Sequence, residues 1–482
     1  MRCVTRWPVF WAIAAGLGLV LADGLCAAES ELLIGAATTS ITPDEPIALD
    51  GQFHARIAKA VDNPITATAV AIEAHQGGRS VDQVILVSCD LVAIRETLLK
   101  AARRRLAEKL PEIDPRKVIF TATHTHTSGV TEEGNYELPR EGVMQPSEFV
   151  TFVVDRLEEL IATAWKRRRT GGVSWGLGHA VVGYNRRAVY ADGSAVMYGK
   201  TDCPDFRGIE GYEDYGLDLL FFWNDPEQPP LAVAVNVACP SQEVESGSRV
   251  NADFWHDVRQ NTQVGDFKDA LVLGWLAAAG DQSPHRMYRK AAEQRMLKLR
   301  GLSYTQEIAR RIVGEIKEVA SLVGDDIGTD VPFAHKVEEV TLPVRKVTEQ
   351  EKAAAQAEID ALTKKGDTSR RRLWLQKVID RHRAQEQHPT VTVEVHALRI
   401  GDIAIITNPF ELFLDYGVQM QGRSKALQTF VLQLTNGSSG YLATERAVKG
   451  GGYSAVIASN LVGPEGGQVL VDRSVELINS LW

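Results

Sequence analysis

Cysteine is scarce in this chain, and the little there is cannot close a disulfide framework. Five cysteines occur in 482 residues, and Cys3 and Cys26 fall in an N-terminal stretch with the pattern of a removable leader. The remaining Cys89, Cys203 and Cys239 are odd in number. At least one thiol therefore stays unpaired within the chain, and burial or metal ligation would protect it in an oxidising compartment. Excess positive charge is also missing. The 53 Lys and Arg residues face 62 Asp and Glu, a formal net charge of -9, whereas proteins that bind nucleic acid are usually basic. No apolar run reaches the ~20 residues needed to cross a bilayer, which argues against a stable membrane span.

What is present begins with the leader. Arg2 and Arg6 precede the apolar residues 9–22, and Cys26-Ala27-Ala28 offers a small-residue cleavage point before Glu29. Residues 1–28 therefore read as a signal peptide of a secreted or periplasmic protein; Asp23-Gly24-Leu25 does not resemble a lipobox. Residues 29–482 follow as the mature chain, and 44% hydrophobic residues are enough for a sizeable core. Apolar segments at 83–87 and 118–121 read as buried strands, and 95–110 and 146–168 as amphipathic helices. This alternation predicts an α/β fold, a mixed sheet flanked by helices with functional motifs at strand ends. A helix is expected over 304–323. Residues 347–386 read as a charged helical hairpin insertion broken at Gly366-Asp367, laid over the core as a solvated pair or serving as a lid or oligomer contact. Strands return at 391–400 and 403–407, and a closing helix is expected over 473–481.

Three local patterns carry candidate chemistry. In Val118-Ile-Phe-Thr-Ala-Thr-His-Thr-His-Thr-Ser-Gly129, side chains two apart on a strand share a face, so His124 and His126 would project together from its end. Two such imidazoles can ligate one metal ion, or one can ligate while the other takes a proton. In Leu276-Ala-Ala-Ala-Gly-Asp-Gln-Ser-Pro-His285, Gly280 permits close backbone approach and Pro284 stiffens the turn, presenting Asp281 and Ser283. An ordinary turn uses the same residues, and no Gly-x-Ser-x-Gly elbow surrounds Ser283, so an α/β-hydrolase triad is unsupported. In Asn408-Pro-Phe-Glu-Leu-Phe413, Glu411 follows a strand-like run as a metal-ligand candidate or a surface carboxylate. Tyr441 and Tyr453 lie in a glycine-rich region near the C-terminus.

In this order the segments resemble the catalytic domain of the neutral, non-lysosomal ceramidases. The resemblance starts at Ile34-Gly-Ala-Ala-Thr-Thr-Ser-Ile-Thr-Pro43 and passes through Val87-Ser-Cys-Asp90, His124-Thr-His126, Asn185-Arg186, Gly280-Asp-Gln-Ser-Pro284, Glu411 and Tyr441-Leu-Ala-Thr444 to Tyr453. It implies a zinc-dependent amidohydrolase with one Zn2+ per chain and a lipid-like or other small-molecule amide as substrate. His124, Glu411 and Tyr441 would be zinc ligands and His126 a proton carrier. Ser283 would act in amide cleavage, with Tyr453 and Arg186 on the developing oxyanion and Asn185 and Asp253 near the substrate.

Two departures bear on this. Where that family has a second zinc histidine, this chain has Val237-Ala-Cys-Pro-Ser-Gln242, which puts Cys239 in the ligand position. Thiolate is a good zinc ligand. His256 in Asn251-Ala-Asp-Phe-Trp-His-Asp257 competes for the same role, against a plain reading as a residue at a helix start capped by Asp253. The chain also ends about where ceramidases continue into a β-sandwich domain, so ceramide is one candidate among amides. A hydrolase of another ester or glycan-linked amide, or a secreted binding protein on the same scaffold, are the rival readings; oligomeric state is not legible.

Overall fold

The computed structural model describes residues 30–482, and the expected leader lies outside the described residues. Strand Thr66–Gln76 sends Ala67, Ala69 and Ala71 into one apolar cluster and Val70, Ile72 and Ala74 into another. Burial on both faces at period two is the mark of a strand covered by a layer on each side. The same alternation runs through Thr390–Ile400, where Val393, Val395 and Ala397 face one way and Leu398 and Ile400 the other.

These strands build a helix–sheet–sheet–helix sandwich. The larger sheet has eight strands in the order Leu271–Leu276, Ala232–Val237, Gly216–Trp223, Arg169–His179, Ser30–Ser40, Thr66–Gln76, Arg79–Cys89 and Val118–Ala122. Helices Glu96–Lys109 and Pro146–Lys166 cover one half of its outer face, and Phe254–Thr262 with Tyr304–Val323 cover the other. Its inner face packs against a four-stranded sheet of Phe333–Pro343, Thr390–Ile400, Ile403–Thr407 and Gln428–Leu432. Trp275 and Phe430 meet edge to face between the two sheets. The second sheet is closed from outside by Leu414–Arg423 and Pro464–Asn479. The sheets are mixed, as expected for an α/β fold.

Within these two sheets most pairings are antiparallel, but three are parallel: Arg79–Cys89 with Val118–Ala122, Ala232–Val237 with Leu271–Leu276, and Ile403–Thr407 with Gln428–Leu432; outside them the short strands Glu411–Leu412 and Tyr441–Leu442 also pair in parallel. The carboxyl ends of parallel strands are where α/β sheets collect ligands. Around them lie two additions. Residues 187–209 form a small three-stranded sheet. The expected hairpin forms helices Glu349–Lys364 and Arg371–Ala384, the first opened by a reciprocal Thr348–Glu351 cap. Leu375, Val378 and Ile379 of the second helix bury against Val347 and Ile457.

The closing helix begins at Pro464, nine residues ahead of the expectation. Gly466 and Gly467 mask it in the sequence because glycine disfavours helix interiors. Space explains both: a Cβ at Gly467 would lie 2.5 Å from the Tyr416 ring, and one at Gly466 would lie 2.3 Å from Val462.

One buried carboxyl sets a pH dependence for the fold. Asp218, 8% exposed on Gly216–Trp223, accepts a 2.7 Å hydrogen bond from Gln428, and burial pushes its pKa up to about 7. A raised folded-state value favours the protonated form, so its stabilising contribution is complete below the unfolded value and is lost as pH rises through 7. Asp218→Asn should therefore leave stability near pH 4 unchanged and raise it at pH 8.5 by up to about 4 kcal/mol. Denaturant titrations of both proteins at the two pH values check this, and parallel pH profiles would rule it out.

Candidate active site at the strand ends

The three parallel pairs end at one place, and each delivers a piece of a polar cluster. His124 and His126 follow Val118–Ala122, Gln242 and Glu245 follow Ala232–Val237, Asp281 and Ser283 follow Leu271–Leu276, and Glu411 follows Ile403–Thr407. His124 has left the strand before its side chain is placed. Its backbone is left-handed at φ 67°, a conformation that non-glycine residues adopt at a cost of order 1–3 kcal/mol and that collects at functional sites. Its amide donates to the Leu91 carbonyl, and its Nδ1 lies 2.7 Å from the Val92 carbonyl. That carbonyl can only accept, so the proton sits on Nδ1 and Nε2 is bare.

The bare nitrogen faces other electron-rich groups. The Glu411 carboxylate is 3.6 Å away, and His126 Nε2 is 3.3 Å away. His126 Nε2 is 2.9 Å from the Gln242 amide nitrogen, whose companion oxygen accepts from Arg186. The Gln242 amide therefore donates to His126, leaving the second imidazole unprotonated on Nε2 as well. Burial, with His124 and nearby arginines, holds the His126 pKa well below its ordinary value. Its Nδ1 faces Glu245 at 3.4 Å. Glu245 also lies 3.5 Å from His285, which Glu243 flanks at 3.3 Å. Burial works against a charged His285, but the two carboxylates outweigh it and raise its pKa to about 10.

The remaining expected residues divide into those at the cluster and those behind it. Tyr441 joins it: its hydroxyl accepts from Arg186 at 3.1 Å, and burial together with Glu411 holds its pKa well above the usual range. Tyr453 stands beside Tyr441, ring centroids 5.7 Å apart, with its pKa pushed up to about 12 by burial and Glu411. Arg186 is buried behind Tyr441 and also binds the Gly280 carbonyl. Ser283 is fully buried; its hydroxyl pairs with Tyr198 at 2.9 Å and accepts from the His285 amide. Asp281 accepts from the Leu414 amide and from Asn185, thereby capping the helix that follows Glu411. Asp253 caps Phe254–Thr262 and accepts from the Val244 amide, which pins the loop carrying Gln242 and Glu245.

Two expected ligands are not brought to His124. Cys239 is 1% exposed, with its sulfur 3.3 Å from the Val182 carbonyl in an apolar cluster that includes Phe254 and Trp255. Burial raises its thiol pKa well above the ordinary value. His256 lies in the first turn of Phe254–Thr262, its amide donating to the Asp253 carbonyl. Among the described residues, no three His, Cys, Asp or Glu side chains close into a full metal cage. The donors that do converge are His124 Nε2, the Glu411 carboxylate and the Tyr441 phenol. With the second bare imidazole beside them they form a proton-poor group that a cation would relieve, and N and O donors of this kind suit zinc.

The cluster opens into a cavity of about 760 Å³ whose far wall is the helical hairpin, through Arg370, Trp374 and Lys377. Arg370 is anchored twice: its amide donates to the Phe53 carbonyl and its guanidinium to Asp50 at 3.0 Å. Arg95 binds the other Asp50 oxygen at 2.7 Å. Burial would raise the Asp50 pKa, but Arg95 and Arg370 hold it far below the usual carboxylate range. Neighbouring Gly51 has φ 94° and passes so close that a Cβ there would lie 2.4 Å from the His126 ring. Arg56 then ties the Asp50 and His126 carbonyls together, each at 2.6 Å. Asp50, Arg56, Gln242, Glu245 and Arg370 went unrecognised in the sequence, since none sits in a motif that marks chemistry.

Fold and site together define a four-layer α/β protein with an imidazole–carboxylate–phenol cluster at converging strand ends. The fold is that of the neutral ceramidases. A crystal structure of neutral ceramidase from Pseudomonas aeruginosa superposes with a TM-score of 0.67 at 16% identity, covering 94% of this chain and 74% of the other. A ceramidase complexed with C2 gives a TM-score of 0.66 at 16% identity, over 94% and 75% of the two chains. No protein-family model matches the sequence, and no curated protein matches it.

Asp50 is the strap between the hairpin and the histidine loop. Asp50→Asn strips two arginines of their shared counter-ion and should destabilise the protein by about 3 kcal/mol. Amide hydrogen exchange should accelerate across Arg371–Ala384 in particular; unchanged protection in that helix would show that Asp50 does not tether it.

Proposed function

We propose that this protein is a secreted or periplasmic zinc-dependent hydrolase of amide bonds in N-acyl substrates, a ceramide-like N-acyl sphingoid base among them. The observation that carries the reading is the facing pair of bare imidazole nitrogens on His124 and His126, with a carboxylate and a phenol beside them. The fold shared with ceramidase structures supports the choice of an amide as the scissile bond. The leader pattern at 1–28 supports export.

His124, Glu411 and Tyr441 would hold the ion, the usual three protein ligands of a catalytic site with one position open. Zinc there supplies Lewis acidity at a carbonyl oxygen. The chain's own groups do the rest. His126, unprotonated at neutral pH, accepts a proton from the attacking water as its oxygen bonds to the carbonyl carbon. The Tyr453 hydroxyl donates to the oxygen on which charge develops. Arg186 acts through Tyr441, orienting its phenol. As the carbon–nitrogen bond breaks, its electron pair stays on nitrogen, which takes the proton back from His126 and leaves as an amine. Glu245 and Gln242 keep the His126 ring in the orientation this transfer needs. Ser283, fully buried and engaged by Tyr198, serves as a positioning residue.

Metal analysis of the purified protein should find close to one zinc per chain, lost in His124→Ala and in Glu411→Ala; full occupancy in both variants would refute the metal assignment. His126→Ala should keep its zinc and lose ~10²–10⁴-fold in kcat. Ser283→Ala should stay within about tenfold of the parent, whereas an acyl adduct trapped on Ser283 would replace the water route by a covalent one. Mass spectrometry of protein recovered from outside the cytoplasm should give a mature chain beginning at Glu29, and an intact Met1 there would refute cleavage.

A further inference from the structure

A second lobe opens on the other side of the aromatic wall of the cavity. Trp374 and Tyr453 lie with ring centroids 5.9 Å apart and an interplanar angle of 30°, braced by Phe53 at 5.6 and 5.9 Å. One side of this pair faces the cavity that exposes His124 and His126; the other faces a lobe of about 530 Å³ between the helical hairpin and residues 448–458. Trp374, Tyr453 and Ala458 belong to both. The volume lies within the range of sites that take small ligands, roughly 300–1,000 Å³.

The lobe is built for something uncharged. Its walls are Leu375, Val378, Val456 and Ile457. Every charged group that lines it is already matched: Arg371 pairs with Glu358 at 2.6 Å and Arg345 with Glu351 at 3.5 Å. Arg345 also donates to the Ala455 carbonyl and the Asn460 side chain. No unmatched charge is left to hold a headgroup, so the site favours hydrocarbon. The catalytic cavity differs, with Lys377, Glu133 and Asp380 on its walls.

We infer that this lobe receives the apolar chain of the substrate while the amide stays at His124 and His126, with the Trp374–Tyr453 pair dividing the two. The inference rests on the amidase reading for the identity of the scissile group, but the lobe's preference for a chain is separate from it. Tyr453 then serves both sides, its ring against the chain and its hydroxyl toward the reacting carbonyl. The hairpin is therefore a specificity element, since Leu375, Val378 and half of the aromatic pair come from it.

The test is calorimetric binding, alongside turnover, of a neutral amide series from N-acetylethanolamine to N-dodecanoylethanolamine. Affinity should rise roughly three- to fourfold per methylene until the lobe is full. Ala354→Trp, at an exposed helix position facing the lobe, and Val456→Asp, which brings in a charge, should each weaken dodecanoyl binding at least about tenfold and leave the acetyl compound unchanged. Circular dichroism and thermal melts confirm that both variants fold. A flat dependence on chain length, or equal losses for acetyl and dodecanoyl compounds, would overturn the inference. Chain-dependent binding without turnover would keep the lobe and sink the amidase reading; turnover indifferent to chain length would do the reverse.

Discussion

The side-chain carbonyl of Gln433 accepts the Ala279 amide at 3.1 Å and the Leu412 amide at 2.8 Å, while its own backbone amide donates to the Leu276 carbonyl. These few bonds lock the turn that carries Asp281 and Ser283 to the loop that carries Glu411. Gln433 is 2% exposed, so losing it would orphan two buried donors at about 1–3 kcal/mol each. Gly280 completes the junction, because any Cβ there would meet the Glu411 carbonyl at 2.4 Å. The third strand pair is tied in by Asn436, which accepts the Phe120 amide and donates to the Val118 carbonyl. The Ser241 amide then reaches the Thr123 carbonyl beside His124. The cluster exists because three strand ends separated by hundreds of residues are fixed to one another by buried amide groups.

That construction explains what could be read from the sequence. Strands and helices were legible because both faces of each sheet are covered, giving the apolar runs at 83–87, 118–121 and 403–407 and the amphipathic stretches at 95–110, 146–168 and 304–323. The charged hairpin was legible from composition and from its Gly366-Asp367 break. The helix starting at Pro464 is hidden because Gly466 and Gly467 answer packing demands of Val462 and Tyr416 respectively, and packing outranks propensity. Within the site, His124 and His126 could be singled out by spacing, yet they meet for a different reason. The strand stops at Ala122, and the left-handed turn at His124 swings its ring so that the centroids lie 4.9 Å apart. Partners such as Arg370 for Asp50, 320 residues away, or Gln242 for His126, 116 away, leave no local trace.

Cys239 shows where a motif argument meets packing. A thiol aligned with a histidine suggests a ligand by chemistry alone, but ligation needs an ionised sulfur within reach of the ion. Here the sulfur faces the Val182 carbonyl among apolar neighbours, an environment that raises its pKa. The next side chain along the loop with polar reach is Gln242, which is neutral and donates to His126. An amide hydrogen at this place changes what the neighbouring imidazole can do: His126 is fixed in one tautomer, with its unprotonated Nε2 accepting from Gln242 at the edge of the cluster. The same loop brings Glu245 to the other ring nitrogen, so one short segment governs both sides of the proposed base.

The hairpin links this chemistry to selectivity. Its helix Arg371–Ala384 enters the site through two unlike contacts, the Arg370–Asp50 ion pair and the tilted Trp374–Tyr453 ring pair. Asp50 is buried and charged, so its bond to the hairpin tolerates little variation in geometry. The aromatic contact is softer and divides a polar cavity from an apolar lobe. A segment held rigidly at its first turn and packed on hydrocarbon beyond it can vary its lobe-facing residues without disturbing His124, Glu411 or Tyr441, which are fixed by the sheets. In the proposed reaction the strand ends would set which bond is attacked, and the hairpin which molecules present that bond.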